Sequence, residues 1–380
     1  MDNWKLVRAA DFIDFNPRES ISKGAMAKKV VMERLQPFTR DISGYEIALF
    51  NGGSKFRNGD TLMARITPCL ENGKTAQVNI LEDNEVGFGS TEFIVLRAKP
   101  GVSDKDFIYY LAMSPILRDK AIKSMVGSSG RQRVQQGVLN DTEFIAPLLE
   151  EQIEIGSMLR ALDDEIANNT KINRTLEQMA QAVWAERFGE REPNGTLSEI
   201  ANIVMGQSPD GKSYNEDGNG IVFYQGRAEF GSRFPTRRLF TTQPKRMAAK
   251  GDVLMSVRAP VGDFNVAFET CCLGRGLAGI QSNNDCQSFV LYTMFSLKQQ
   301  LDMFNGEGTV FGSINKNDMA NLPVFIPSDE VIRQFEELVS PMDATIEANY
   351  TESCNLQAAR DSLLPRLMSG DLSVADLAAK

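Results

Sequence analysis

The chain has 380 residues, of which 42% are hydrophobic and 24% are charged, and its formal net charge is −9. This length allows two or three domains, no apolar run reaches the roughly 18 residues of a membrane span, and no signal peptide is present, so a cytoplasmic location without a membrane partner is expected. The absence of histidine excludes Ser-His-Asp and Cys-His nucleophile systems, and five cysteines without a C-x-x-C pair indicate free thiols rather than disulfides or zinc ligands.

The first segment, residues 1–147, contains short apolar runs bounded by turn residues. GDTLMARITP starts at Gly59 and GFGSTEFIVLR starts at Gly87, and the first of these is typical of a β-strand that follows a turn. Polar, glycine-rich loops between such runs carry side chains that can bind phosphates or base edges. These candidates are Lys55, Arg57, Glu71, Lys74, Arg131 and Arg133. The alternative for each of them is a solvated surface charge.

Residues 148–189 follow Pro147 and predict one long helix, since they are rich in helix formers and almost free of glycine. Apolar residues recur in this segment at steps of three and four with a polar break in the middle, a pattern typical of a helix that packs on another helix. The residues of this seam are Ile155, Leu159, Leu162, Ile166, Asn169 and Leu176. Packing of the helix on its own neighbouring domain is the alternative interpretation.

A second globule is predicted over residues 190–327, where GDVLMSVRAP at Gly251 and GRGLAGIQ at Gly274 repeat the runs of the first segment. Its candidate nucleic-acid contacts are Tyr224, Gln225, Arg227, Arg233, Arg237, Arg258 and Arg275. The octapeptide GQSPDGKS, Gly206 to Ser213, also fits the phosphate-binding pattern G-x-x-x-x-G-K-[ST]. Three glycines and no helical periodicity follow it, so the helix whose amides would face a nucleotide is not predicted. An ATP-using enzyme that works through Lys212 is therefore kept as an alternative only.

Residues 328–370 predict a second long helix, and residues 371–380 form a C-terminal tail. Adding 180 to the numbers of the first seam gives a second seam with the same polar break. Its residues are Phe335, Val339, Met342, Ile346, Asn349 and Leu356. The shared register predicts that the two helices pack on each other, since a buried asparagine can fix the register of a coiled coil.

The negative charge is concentrated in the two helical segments. Residues 151–190 and 327–380 carry net charges of −4 and −6, whereas residues 1–150 and 191–326 carry +1 and 0. A basic face on each globule is therefore compatible with the acidity of the whole chain.

The order of globule, helix, globule and helix predicts an α+β fold with mixed α/β globules. If the long helices pack antiparallel, the two repeated globules are separated by a coiled-coil spacer and related by a pseudo-twofold axis. Two similar modules at a fixed distance suit a ligand with two separated sites, and duplex DNA is such a ligand. A coiled-coil scaffold that binds only protein is the alternative that the acidity favours. No catalytic residue and no metal site is predicted.

Several stretches resemble the DNA-specificity subunit of type I restriction-modification systems. The resemblance rests on GDTLMARITPCLENGKTAQV with GFGSTEFIVLR, on GDVLMSVRAPVG with GRGLAGIQ, and on the helix endings MAQAVWAERF and LLPRLMSGDL, and it covers essentially the whole chain. It implies that each globule is a target recognition domain that reads one half of a bipartite DNA site. It also implies that the antiparallel helices set the spacer of unspecified bases between the halves.

The resemblance further implies partners and cofactors. The chain would be a non-catalytic subunit that recruits two modification (methyltransferase) subunits and, through them, restriction subunits that translocate and cut DNA. S-adenosylmethionine, ATP and magnesium are expected on those partners, and no cofactor is expected on this chain. The matching stretches place Arg65, Glu71, Lys74, Ser90, Thr91, Arg258 and Arg275 at or near the DNA.

Overall fold

The computed structural model describes residues 4–305 and 312–378. The first three residues of the predicted first recognition domain, residues 306–311 of the second and the last two of the predicted tail lie outside the described residues. Contacts divide the chain into a first unit, Met1–Thr170 with Thr351–Lys380, and a second unit, Lys171–Tyr350. Each unit therefore combines one of the predicted globules with parts of both long helices.

The first unit starts with short strands and helices and ends in a long helix. Its strands are β1 (Lys5–Arg8), β2 (Ile13–Phe15), β3 (Met26–Val30), β4 (Glu46–Leu49), β5 (Ser54–Phe56), β6 (Thr61–Ala64), β7 (Thr75–Gln77), β8 (Gly87–Gly89), β9 (Phe93–Ala98) and β10 (Glu143–Ala146). Its helices are α1 (Ala9–Phe12), α2 (Lys105–Met113), α3 (Pro115–Lys123), α4 (Gln136–Asn140) and the long α5 (Leu149–Phe188), which continues into the second unit.

The strands of the first unit form three sheets within its described part. β1 pairs antiparallel with β10, and a four-stranded antiparallel sheet has the order β2-β9-β6-β7. The third sheet, β4-β3-β8-β5, contains one parallel pair, β3 with β8. The main core joins the antiparallel sheet to α2 and to the start of α5, and Leu96, Phe107, Ile155 and Leu159 are each at most 1% exposed in it.

The second unit contains a further set of short strands and helices. Its strands are β11 (Gly195–Thr196), β12 (Ala201–Met205), β13 (Tyr214–Asn215), β14 (Ile221–Tyr224), β15 (Phe240–Thr241), β16 (Met247–Ala248), β17 (Val253–Ser256), β18 (Phe264–Val266), β19 (Cys271–Leu273), β20 (Leu277–Ser282) and β21 (Pro323–Val324). Its helices are α6 (Leu197–Ile200), α7 (Gln287–Ser296), α8 (Lys298–Asp302), α9 (Lys316–Ala320) and the long α10 (Asp329–Ser369). The last part of α10 belongs to the first unit, where α11 (Val374–Ala378) follows it.

The second unit repeats the topology of the first and adds one edge strand, β13, to the mixed sheet. β11 pairs antiparallel with β21, β12-β20-β17-β18 forms the antiparallel sheet, and β13-β15-β14-β19-β16 contains one parallel pair, β14 with β19. Helices α6 to α9 follow the strands in the same order as α1 to α4. The predicted duplication and the mixed α/β character of both globules are therefore confirmed.

The strands that follow Gly59-Asp60 and Gly251-Asp252 each begin at a turn closed by the aspartate. An Asp60 carboxylate oxygen accepts the backbone N–H of Arg57 at 2.7 Å, and an Asp252 oxygen accepts that of Ala249 at 2.8 Å. The strands that follow, β6 and β17, are buried along their whole length. Arg97 neutralises Asp60 through two hydrogen bonds of 2.7 Å, whereas burial without such a partner raises the pKa of Asp252.

The N-terminus of α2 is capped from within the first globule. Asp104 Oδ1 accepts the backbone N–H groups of Asp106 and Phe107, both at 2.9 Å. Gly156 of α5 lies against this cap, and a Cβ at position 156 would be 2.9 Å from the Phe107 nitrogen and 3.0 Å from Asp104 Oδ1. A glycine at this position therefore lets the long helix approach the cap.

In the second unit, the equivalent cap comes from the long helix. Glu336 of α10 accepts the backbone N–H groups of Ser288 and Phe289 at 3.1 and 3.0 Å, while Cys286 at the N-cap position makes no side-chain cap hydrogen bond. Glu336 lies 180 residues after Gly156, the offset of the two helix seams. The two repeats thus satisfy the same helix N-terminus with carboxylates from different elements.

Replacing Glu336 by alanine is expected to lower the free energy of unfolding of the second unit by about 1–2 kcal/mol, because two backbone N–H groups lose their acceptor. Adding Cys286→Asp to that variant should restore most of the loss, because the new carboxylate occupies the position of Asp104 in the first unit. Urea denaturation of the two single variants and the double variant measures this. Cys286→Asp alone should give no gain, since two carboxylates would then compete for the same amides. A double variant no more stable than Glu336→Ala would contradict the capping role.

The helices α5 and α10 confirm the two predicted long helices. Their 40 and 41 residues correspond to about 60 Å each. In the first unit, Asn169 Nδ2 donates to Glu352 Oε2 at 3.0 Å. In the second unit, Asn173 Nδ2 donates to Ile346 O at 3.2 Å, and Asn349 Nδ2 donates to Asn173 Oδ1 at 2.9 Å. Within each unit the two helix segments therefore run antiparallel, and seam asparagines bond across them.

The seam residues pack on the globules as well as on the partner helix. Ile155 and Leu159 share the core of the first unit with Leu367 of α10, and Phe335 and Val339 belong to the core that surrounds α7 in the second unit. At the helix ends the predicted seam therefore also packs on the neighbouring globule, so the alternative interpretation applies there alongside the predicted one. The half-buried members of the seam are Leu162, Ile166, Leu176, Met342, Asn349 and Leu356.

Candidate nucleic-acid interface

A polar cleft in the second unit brings together four of the predicted contacts, namely Gln225, Arg227, Arg258 and Arg275. Its volume is about 340 Å³, and its residues follow the ends of β14 and β17 and occupy the turn between β19 and β20. We name this site the arginine cleft, and its lining consists of Ser208, Gln225, Gly226, Arg227, Ser256, Arg258, Ala259, Arg275 and Gly276. Arginine and glutamine are the side chains that most often form paired hydrogen bonds with purine edges.

Gly276 keeps the floor of the arginine cleft open. A Cβ at this position would be 2.8 Å from the carbonyl oxygen of Gln225 and 3.2 Å from the Cα of Gly226. The backbone N–H of Val257 donates to Gly276 O at 2.9 Å, which fixes the glycine next to the strand end that carries Arg258. A larger residue at position 276 would displace the backbone at Gln225 or fill the cleft.

The three arginines of the cleft differ in their electrostatic surroundings. Arg227 forms an ion pair with Asp263, so its charge is neutralised. Arg258 and Arg275 are exposed, and neither side chain has a hydrogen-bonding or ionic partner in the part of the chain that the structure describes. Two guanidinium groups therefore remain available to a ligand in one concave site.

The equivalent place in the first unit holds an ion pair instead of an open cleft. The backbone N–H of Arg65 donates to Glu92 O at 2.9 Å, as that of Val257 does to Gly276, which makes Glu92 the counterpart of Gly276. The Glu92 carboxylate is paired with Arg133, with the shortest distance at 2.7 Å. This hydrogen bond from Arg133 lowers the pKa of Glu92. The structure thus groups Arg65 and Arg133 around a carboxylate that was not predicted as a site residue.

The other predicted contacts of the first unit are partly engaged within the globule. Lys55 Nζ donates to Glu19 O at 2.6 Å, and Arg57 pairs with the Glu19 carboxylate at 2.7 Å. Lys74 Nζ donates to Met32 O at 3.1 Å. The exposed members of this group are Glu71, Thr91 and Arg131, whereas Ser90 is half-buried. Contact of any of these side chains with DNA stays a prediction.

Two predicted contacts in the second unit are buried, and their assignment to a ligand surface is corrected. Tyr224 is 1% exposed and belongs to a hydrophobic core. Arg233 is 7% exposed and pairs with acidic residues of both long helices. Their position in a glycine-rich stretch suggested a surface loop, but the first ends a buried strand and the second points into the protein. Arg237 is exposed and forms an ion pair with Glu269.

The octapeptide Gly206–Ser213 does not form a nucleotide-binding loop. Strand β12 precedes it, the last three residues of the octapeptide form a single 3₁₀ turn, Gly211–Ser213, and β13 begins directly after that turn. Its first two backbone N–H groups donate to Leu277 O and Leu273 O at 2.9 Å each, so they are not available to a phosphate. The geometry therefore lacks the helix N-terminus on which the ATP-using alternative depends.

A buried anchor fixes the first globule to the long helices, and its residues were not predicted from the sequence. Tyr110 of α2 donates to Asp163 Oδ2 at 2.6 Å, and Arg360 of α10 pairs with Asp163 Oδ1 at 2.6 Å. Arg40, from the globule, pairs with Asp164 of α5. Burial and the neighbouring Asp163 raise the pKa of Tyr110 far above its ordinary value. The tyrosine therefore stays protonated and donates this hydrogen bond.

The second unit has a corresponding anchor. Tyr292 of α7 donates to Asp343 Oδ1 at 2.7 Å, and Arg233 pairs with Asp343 and with Glu177 Oε2 at 3.0 Å. Arg40 and Arg233 occupy equivalent places in the two units. The carbonyl oxygen of Arg40 accepts the backbone N–H of Gln77 in β7, the strand after β6, and that of Arg233 accepts the backbone N–H of Val266 in β18, the strand after β17. One sequence signal could have indicated the anchors. Asp163 and Asp343 each follow a seam residue, Leu162 or Met342, and their numbers differ by 180, the offset of the two seams.

Residues 4–305 and 312–378 contain no group of three or more His, Cys, Asp or Glu side chains that could hold a metal ion. Over the same residues, no helix is both long and apolar enough to cross a membrane. The cysteines are free thiols, as predicted.

The fold and the candidate site define a two-module class of protein, in which each of two repeated α/β globules is anchored on helix segments that run antiparallel within its unit, and the second globule carries a polar cleft. The model of the type I restriction modification DNA specificity domain matches residues 1–178 and residues 193–355. The chain therefore belongs to the type I restriction-modification DNA specificity family. Membership assigns recognition of DNA sequence, rather than catalysis, to this chain.

Similar proteins are known in archaea and bacteria. The putative type I restriction enzyme MjaX specificity subunit of Methanocaldococcus jannaschii is 29% identical over 365 residues, which cover 89% of this chain and 83% of that protein. The type I restriction enzyme HindI specificity subunit of Haemophilus influenzae is 22% identical, with 83% of this chain and 87% of that protein covered. The crystal structure of a type I restriction-modification S subunit from M. genitalium matches with a TM-score of 0.58 at 17% identity, covering 96% of both chains. This last likeness supports the fold.

Proposed function

We propose that this chain is the sequence-reading subunit of a type I restriction-modification complex, and that each unit reads one half of a bipartite site in duplex DNA. The observation that carries the proposal is the arginine cleft and its counterpart at Glu92. Equivalent places in two repeated modules present an open cleft with arginines in one module and the Glu92–Arg133 ion pair in the other. Base edges in the major groove differ in their donors and acceptors, so two such modules suit two different half-sites.

The anchors supply the second requirement of a bipartite reader, which is a fixed position of each reading surface on its helices. The Arg40–Asp164 ion pair and the hydrogen bond from Tyr110 to Asp163 hold the first globule on α5, and the ion pairs of Arg233 hold the second globule. A helix rises 1.5 Å per residue, so the length of helix between the anchors would determine the number of unspecified bases between the half-sites.

The acidic long helices would dock two modification subunits, and these would recruit the restriction subunits. Negative charge repels phosphates, so these helices suit protein contacts better than DNA contacts. S-adenosylmethionine, ATP and magnesium would then be bound by the partner subunits. The family role, the absence of histidine and the geometry of the octapeptide Gly206–Ser213 support this division of tasks. Because cellular DNA is its ligand, we place the complex in the cytoplasm.

Binding of the purified complex with its modification subunits to duplex DNA tests this function. Affinity for a duplex that carries the recognised site should exceed affinity for a scrambled duplex by about 10³-fold or more, and both affinities should fall as salt concentration rises. A scrambled duplex that binds equally well, or binding that is insensitive to salt, would instead support the protein-only scaffold.

A further inference from the structure

We propose that Arg258 and Arg275 read a guanine in the half-site of the second unit, and that Gly276 gives them access to it. This inference rests on the proposed function and names the base chemistry that one of the two modules recognises.

The geometry of the arginine cleft favours a ligand with two adjacent acceptors. Arg258 and Arg275 lie on the same cleft, both are exposed, and neither is engaged by a side chain among the described residues. Arg227 contributes no net charge because Asp263 pairs with it. Guanine presents O6 and N7 side by side in the major groove, and the planar guanidinium group matches this pair with two parallel hydrogen bonds.

Comparison of the two units indicates that this place faces bases rather than phosphates. Phosphate groups are the same at every position of a duplex, so two repeated modules that approach DNA in the same way would meet them with the same charge. The place where Arg258 and Arg275 have no side-chain partner among the described residues holds the Glu92–Arg133 ion pair in the first unit. A different set of hydrogen-bonding groups at the same place in the two repeats fits base edges, which present donors in one sequence and acceptors in another.

Gly276 distinguishes the second module from the first, where Glu92 occupies the equivalent position. The same strand hydrogen bond, from Arg65 in one unit and Val257 in the other, holds Glu92 and Gly276 in equivalent positions. A side chain at position 276 would meet the backbone of Gln225 within 2.8 Å or project over the cleft. The open floor of the cleft therefore depends on a glycine at this position, and Gly276 acts as a specificity-determining residue by leaving space.

The test is a comparison of methylated motifs, read by sequencing the genomes of cells that express the full chain with its modification subunits. The variants are Arg258→Ala, Arg275→Ala, the charge-conserving Arg258→Lys, and Gly276→Glu. Lys245→Ala is the matched control, since this exposed cation of the second unit lies outside the cleft. Binding of each purified complex to duplexes with all four base pairs at the affected position gives the discrimination directly.

We expect Arg258→Ala and Arg258→Lys to relax one G·C position in one half of the motif, with a loss of discrimination on the order of tenfold to a hundredfold. The other half should stay unchanged, which shows that the variant folds and assembles. Gly276→Glu should alter the same half, and Lys245→Ala should leave the motif as it is.

Three results would overturn the inference. The first is a uniform loss of affinity with an unchanged motif, which would identify phosphate contacts. The others are a relaxed position that is not G·C and changes in both halves of the motif. A variant that yields no assembled complex is replaced by Arg258→Lys, whose outcome then decides. A wild-type complex without a two-part motif would instead refute the proposed function itself.

Discussion

Replacing Arg233 by alanine is expected to lower the free energy of unfolding of the second unit by about 3 kcal/mol. The substitution leaves the carboxylates of Asp343 and Glu177 without their buried counter-charge, and an unpaired charge in such a position costs far more than a surface ion pair contributes. Trp184 lies in the second unit and Trp4 in the first, so the fluorescence of Trp184 in a Trp4→Phe background reports on the second unit alone.

Arg237→Ala is the control for this experiment, because Arg237 pairs with Glu269 at an exposed position. Its side chain is 57% exposed, so its loss should change stability by no more than about 1 kcal/mol. Equal urea midpoints for the Arg233 and Arg237 variants would show that the buried anchor does not stabilise the unit.

Deleting one heptad from both long helices is expected to shorten the spacer of the recognised site and to leave both half-sites unchanged. Residues 166–172 and 349–355 lie between the anchors of the two units, so both anchors stay intact. Seven residues correspond to about 10 Å of helix, which equals up to about three base pairs, and a heptad nearly preserves the phase of the helix.

Sequencing of methylated motifs in cells that express the deleted chain with its modification subunits measures the spacer. Deletion from one helix alone is the control, since it shortens only one of the two paired helices, places the remaining seam residues out of register and should abolish assembly rather than change the spacer. An active double-deletion variant with the original spacer would show that the helices do not set the distance.

The long helices and the duplication were accessible from the sequence because they depend on local patterns. Steps of three and four residues predicted α5 and α10, and Pro147 and Pro327 preceded both of them. The seam asparagines were also predictable, since polar residues in an apolar stripe need a partner across the helix pair. Asn169 and Asn349 are indeed bonded to the opposite helix segment or to its side chains.

The anchors and the arginine cleft were not accessible in the same way, because they depend on contacts between distant segments. The numbering offset between equivalent residues is 180 for Asp163 and Asp343 but 192 for Arg65 and Val257, so no single offset aligns the two modules. Only the strand hydrogen bonds pair Glu92 with its counterpart in the second unit. Arg233 was assigned to the surface for the same reason, since its charge partners lie on helices far away in the chain.

Sequencing of methylated bases in a genome tests the central claim most directly. The wild-type chain is co-expressed with its modification subunits in a host free of other methyltransferases. Two modules with different chemistry at equivalent places predict one motif with two different specified halves and a fixed run of unspecified bases between them. A single uninterrupted motif, or methylation without sequence preference, would contradict the account.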